Sequence, residues 1–132
     1  MFKNAPGCRI SGTEYASKHR RFSLTLQPPD GGDEFWVAFT DVAAYRFETS
    51  SYGVIASVLQ SPLDSLIRGD WQQILLADQS GLWPGLLPSD PPAATAMASR
   101  LGLRGFTISL DSGACSWAIS NDFVLLGRRK RA

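Results

Sequence analysis

The chain has a single histidine, His19, and only two cysteines, Cys8 and Cys115, among its 132 residues. Three such residues without the paired spacing of a zinc site give no reason to expect a metal centre. A Ser-His-Asp or Cys-His relay would need His19 as its base. That residue is flanked by Lys18, Arg20 and Arg21 in "KHRR", a poor setting for a side chain that must accept positive charge. No loop is suited to cradling phosphate. "DGGDE" places carboxylates beside its glycines, and "SGLWPG" lacks the lysine and the Ser/Thr of a P-loop. Asp33 and Glu34 are adjacent, but they sit at a glycine-bounded turn that water reaches easily. These shortages lead to the expectation of a protein that is not an enzyme and carries no cofactor or metal.

Long apolar runs are also missing. None approaches the roughly 18 residues of a membrane span, and the opening "MFKNAPGCRI" has no hydrophobic stretch of the kind a secretory signal needs. A cytoplasmic protein with no membrane partner is expected, its two thiols reduced. With 44% apolar and 19% charged residues the composition is globular, and the length suits one domain over residues 1–132. Net charge is +1, unevenly distributed: +4 over residues 1–27, −7 over 28–99 and +4 over 100–132. A total so near zero argues against a dedicated nucleic-acid binder. The basic segments "KHRRF" and "RRKR" supply the alternative reading, a small nucleic-acid or ligand-binding module, but neither is interleaved with aromatics that could stack bases.

Periodicity predicts an α+β fold: a mostly antiparallel sheet of about four to six strands, packed with two or three helices from the middle of the chain. "RRFSLTLQ" alternates Phe22, Leu24 and Leu26 with polar residues, the period of a half-buried strand. "PPDGGDE" is a hairpin loop by its prolines and glycines. "FWVAFTDVAAYRFE" puts Phe35, Val37, Phe39, Tyr45 and Phe47 on one parity, with Arg46 and Glu48 towards water. It is too long for one strand, so a bend near Thr40 and Asp41 is expected. "VIASVLQ" spaces Val54, Ile55, Val58 and Leu59 as a helix would. Ser61 as N-cap, Pro62 at the first helical position and Asp64 three residues after the cap then predict a helix start. The helix continues along Leu63, Leu66, Ile67, Trp71, Ile74 and Leu75, with Gly69-Asp70 as a possible break. Four prolines and two glycines make residues 78–92 a loop, and Asp90 near its end caps a short helix through "AATAMASRL", with Gly102 just past the helix end. A hairpin closes the chain, Phe106, Ile108 and Leu110 answering Cys115, Trp117 and Ile119. "NDFVLLG" reads as the last strand continuing past a bulge, and 128–132 as a frayed basic tail.

The middle of the chain offers the candidate binding surface. Asp64, Asp70 and Asp78 occur with Trp71 and Trp83, acids around aromatic anchors. Such a surface suits capture of a basic protein, the acids steering encounter and the indoles carrying affinity. The plainer account makes Trp71 a core residue, leaves Trp83 pinning its own loop and turns the acids to solvent.

Phe39, Val42, Tyr45 and Phe47 in "FTDVAAYRF", with the closing "GFTISLDSGACSWAISNDFVLL", resemble small bacterial immunity proteins of polymorphic toxin systems, many of them uncharacterised α+β domains. The likeness covers about two thirds of the chain, and the 78–92 loop has no counterpart. It implies an antiparallel sheet backed by helices and a task as a stoichiometric toxin inhibitor; the acidic surface above makes the expected partner a basic toxin domain. It carries over no catalytic residue.

Overall fold

A computed structural model describes residues 1–47 and 52–128. Among these residues lie eight strands, three α-helices and one short 3-10 turn. The α+β class, the antiparallel pairing and the helices from the middle of the chain are all present. The strands form two four-stranded sheets, because two of them bend out of one sheet and into the other.

β1 (Arg9–Ala16) pairs with β2 (Arg21–Gln27) across the 3-10 turn Ser17–His19. β1 escapes a reading by periodicity for a physical reason: a bulge between Ile10 and Gly12 breaks its alternation. β2 pairs with β3 (Phe35–Thr40), aligning Phe22, Leu24 and Leu26 with Phe39, Val37 and Phe35. All six side chains are buried. The expected hairpin loop lies between these strands, and Gly31 supplies the positive φ it needs.

The expected bend falls at Asp41, which takes a left-handed φ of 48°. Beyond it β4 (Ala44–Arg46) belongs to the second sheet. Beside it, β7 (Cys115–Ser120) passes through Asn121 into β8 (Asp122–Arg128), which returns to the first sheet next to β3. The two crossings are tied together. Asn121 N–H donates to the Thr40 carbonyl at 2.8 Å, Ala43 N–H to that of Ile119 at 2.8 Å, and the Asn121 amide to Asp41 at 3.4 Å. "NDFVLLG" therefore does continue from the preceding strand, but in another sheet. Arg128 is its last residue and lies 5.4 Å over the Phe35 ring, so it does not belong to a frayed tail. Glu48 and residues 129–132 lie outside the described residues.

The second sheet runs β4-β7-β6-β5, with β5 spanning Ile55–Ser61 and β6 Arg104–Leu110. β5 corrects the helix expected for "VIASVLQ". A bulge between Ile55 and Ser57 sets the buried Ile55 and Val58 three residues apart, which imitates helical spacing. Its start reaches β1: Arg9 bridges Val54, and Ile55 N–H donates to the Cys8 carbonyl at 2.8 Å. Pairing thus passes almost completely around an interior where Phe39 meets Phe123 at 4.6 Å and Phe106 at 5.7 Å.

The predicted helix start is also corrected. Ser61 ends β5 and its hydroxyl bonds that of Thr107 at 2.7 Å, while Pro62, without a side-chain cap, precedes α1 (Leu63–Gly69). Asp70 breaks the helix, and α2 (Trp71–Gln79) follows. α3 (Pro91–Arg100) starts as expected, with Asp90 accepting from Ala93 N–H at 2.9 Å. The helices bury Ile67, Ile74, Ala94 and Ala98 with Trp83 against Ala44 and Ile119 of the second sheet and Ala43 just before it. No described helix is long and apolar enough to cross a membrane.

Both cysteines are free, Cys8 buried and Cys115 exposed. Burial, with Asp30 adding to it, pushes the Cys8 thiol above its ordinary range and suppresses its thiolate. Iodoacetamide at neutral pH will therefore label Cys115 in the folded protein and reach Cys8 only in denaturant. Mass spectrometry before and after urea checks this, and equal labelling of both thiols in buffer would contradict it.

Candidate functional site

The crossing at Asp41 opens a groove. β4 turns away from β2; just before each strand, Val42 N–H donates to the Arg20 carbonyl at 2.8 Å. α2 spans the resulting gap, with Gln73 donating to the Tyr45 carbonyl at 3.1 Å. The cleft left between them is about 960 Å³ in volume. One wall is Tyr15, Ser17 and Arg20, another Tyr45, Arg46 and Phe47, and the third Gln73, Leu76 and Ala77 of α2 with Ser80–Leu82 beyond it.

Aromatic rings build the floor. Tyr45 stacks on Phe22 at 4.6 Å, Tyr15 lies 5.7 Å from Tyr45, and Phe47 lies 5.5 Å from Phe22. Burial, with Tyr15 pushing the same way, holds the Tyr45 phenol above its ordinary range. Its hydroxyl is therefore neutral at physiological pH and able to donate a hydrogen bond. Arg20 takes a left-handed φ of 50° as the chain turns into β2, and its guanidinium donates to the Leu82 carbonyl. That bond pins the loop to the first sheet and fixes the cation at the groove edge. Gln73, Leu76 and Ala77 of α2, with Ser80 just past its end, form one i, i+3, i+4, i+7 stripe facing the groove. Leu76 is 54% exposed, a large apolar side chain offered to solvent.

The anticipated acidic and aromatic surface does not assemble as one patch. Asp70 is half-buried and engaged within the fold: one oxygen, Oδ2, accepts from Arg46 at 3.1 Å and from the Trp117 indole at 3.1 Å. Trp83 is 3% exposed, locked in the helix core. Trp71 is half-buried against the same core. Asp64 and Asp78 are exposed, but Asp64 is on α1 and Asp78 falls off the groove stripe of α2. The 78–92 segment is held by Leu82 and Trp83 N–H groups, which both donate to the Ala77 carbonyl.

Sequence reasoning missed Tyr15, Arg20 and Leu76 as groove residues. The signal nearest to them was the shared parity of Tyr45 and Phe47, two half-buried rings at the end of a run whose other members are core. Asp70 works as a strut between α2, β4 and β7. Asp70→Ala will lower stability by about 1–2 kcal/mol, reduced from the full worth of charged hydrogen bonds because Arg46 is 54% exposed. Urea titration measures it, and an unchanged midpoint would show the strut to be idle.

No protein family model, characterised protein or solved structure matches this chain. Among the described residues, no group of three His, Cys, Asp or Glu side chains converges as metal ligands would. The groove combines aromatic rings, aliphatic edges, guanidinium groups and phenol donors, which together suit holding another molecule.

Proposed function

We propose that this chain is a non-catalytic protein-binding domain whose contact surface is centred on the groove. We further propose that it acts as an immunity protein, neutralising a bacterial toxin by covering it. The observation that carries the first part is the half-buried Tyr15–Tyr45–Phe47 wall facing the exposed Leu76 across the cleft. Tyrosines lining a concave patch, with an arginine at its edge and aliphatic contact area beside them, match the residue types of an interface hot spot. The toxin assignment rests on the resemblance carried by "FTDVAAYRF" and the closing hairpin.

The nucleic-acid alternative would use the basic segments "KHRRF" and "RRKR", of which Lys18–Phe22 and Arg128 are among the described residues. Lys18–Arg21 lies at the turn beside Phe39, while Arg128 pairs with Phe35 at the other end of β3.

Titration against the purified product of the neighbouring reading frame tests the proposal. A one-to-one complex is expected, with Tyr15→Ala and Leu76→Glu each weakening affinity by at least about 30-fold, the scale of a hot-spot residue. Asp64→Lys and Asp78→Lys should stay within about threefold, as peripheral charges do. Loss of affinity with the aspartate variants alone would return the contact surface to the acidic helices. Co-purifying nucleic acid, with no protein complex, would sink the proposal.

A further inference from the structure

We infer that the groove takes an acidic segment of the partner chain, one in which carboxylates flank an aromatic or aliphatic side chain. This rests on the protein-binding reading above and reverses the sign of partner expected from the acidic middle of the sequence. Among the described residues, the ionised side chains lining the cleft are Arg20 and Arg46. Asp70 already accepts from Arg46, so neither is left to attract a separate charge. Arg20 is different. Among the described residues its guanidinium bonds the Leu82 carbonyl, a neutral group that orients it without cancelling its charge. Lys18 and His19 are exposed in the turn just before it, and Arg21 follows. The side of the groove towards the first sheet therefore carries positive charge at a fixed position, with the Tyr15 and Tyr45 rings beside it.

A carboxylate entering there would meet a guanidinium, a charge-assisted donor suited to carboxylate geometry. The neutral Tyr45 phenol could donate to it as well. The apolar side chain next to that carboxylate would lie between the Tyr15–Tyr45 wall and Leu76. A nucleic-acid strand fits less well, because base stacking needs open ring faces. Phe22 covers one face of Tyr45, and Tyr15 packs close by.

The test is fluorescence anisotropy with a labelled random copolymer of glutamate and tyrosine. A lysine–tyrosine copolymer and a labelled oligothymidylate serve as comparisons. Saturable, salt-sensitive binding of the glutamate copolymer is expected, weakened at least about tenfold in the double variant Lys18→Glu/His19→Glu. Both positions are exposed, so an unchanged melting curve will confirm that the variant is folded. Tyr15→Ala should weaken binding as well, which separates a seated apolar residue from charge attraction alone. Preference for the lysine copolymer would overturn the inference while leaving a protein-binding domain intact. No binding of the glutamate copolymer, or binding that ignores all these variants, would overturn it too. Preference for the oligothymidylate would overturn both this inference and the reading it rests on.

Discussion

Trp83→Ala is expected to destabilise the protein by about 3–5 kcal/mol, the range for removing a large aromatic from a core. For a domain whose whole stability is about 5–15 kcal/mol, the loss would be severe. The indole is 3% exposed and packs with Ile74, Ala77, Ala94 and Ala98, so alanine would leave a cavity spanning α2, α3 and the loop between them. Trp83→Phe should behave differently. The indole Nε1 is buried and has no hydrogen-bond partner among the described residues. Phenylalanine removes that unmet donor, worth about 1–3 kcal/mol when buried, against the loss of part of the ring. A net change of about 1 kcal/mol or less is therefore expected. Urea unfolding of the two variants decides the matter. A Trp83→Ala protein within about 1 kcal/mol of the original would mean that the loop does not depend on this residue for docking.

The second large effect is at Gly105. This residue pairs with Ser61 where β5 ends and α1 begins. A Cβ there would come within 2.6 Å of the Ser61 carbonyl oxygen and 2.6 Å of Leu66 Cδ1. Leu66 can change rotamer, but the Ser61 oxygen belongs to backbone held in the β5–β6 ladder. Gly105→Ala must shift α1 relative to the sheet, at a cost of about 3 kcal/mol, the upper end of the usual range for overpacking. Gly69 provides the contrast, since nothing lies within 4 Å of a Cβ placed on it. Gly69→Ala should leave stability unchanged or raise it by about 0.5–1 kcal/mol. Similar midpoints for the two variants would show that the helix is not clamped against β6.

How far the fold could be read from the sequence depended on where its patterns stay local. β2, β3 and the β6–β7 hairpin keep strict alternation between strong turn signals, and their registers follow from it. α3 carries its own Asp90 cap and a following Gly102 with a φ of 76°. β1 and β5 each contain a bulge, and one extra residue is enough to hide a strand or make it look helical. The break between α1 and α2 was foreseeable at Gly69-Asp70, but the reason for it was not. Asp70 is held by Arg46, 24 residues earlier, and by Trp117, 47 residues later. An aspartate between two helical segments reads as solvent-facing until those distant partners are in place.

The groove was hidden for the same reason. It exists because β3 and β7 cross between sheets side by side, an arrangement set by contacts between Asp41 and Asn121, 80 residues apart. Tyr45 and Phe47 were visible as members of an aromatic run. Only the crossing brings Tyr15, Arg20 and the Leu76 face of α2 to meet them. The acids that stood out in the sequence divide into a strut and an exposed fringe, while Tyr45 and Phe47 at the end of the aromatic run form a wall of the cleft and Phe35 and Phe39 fill the core.

Hydrogen–deuterium exchange of the complex with the neighbouring frame's product addresses the groove assignment at its own location. Slowed exchange should concentrate in the segments 15–21, 44–47 and 73–82, which meet only in the folded cleft. Protection confined to α1 and α3, with those three segments unchanged, would place the partner elsewhere and contradict the account.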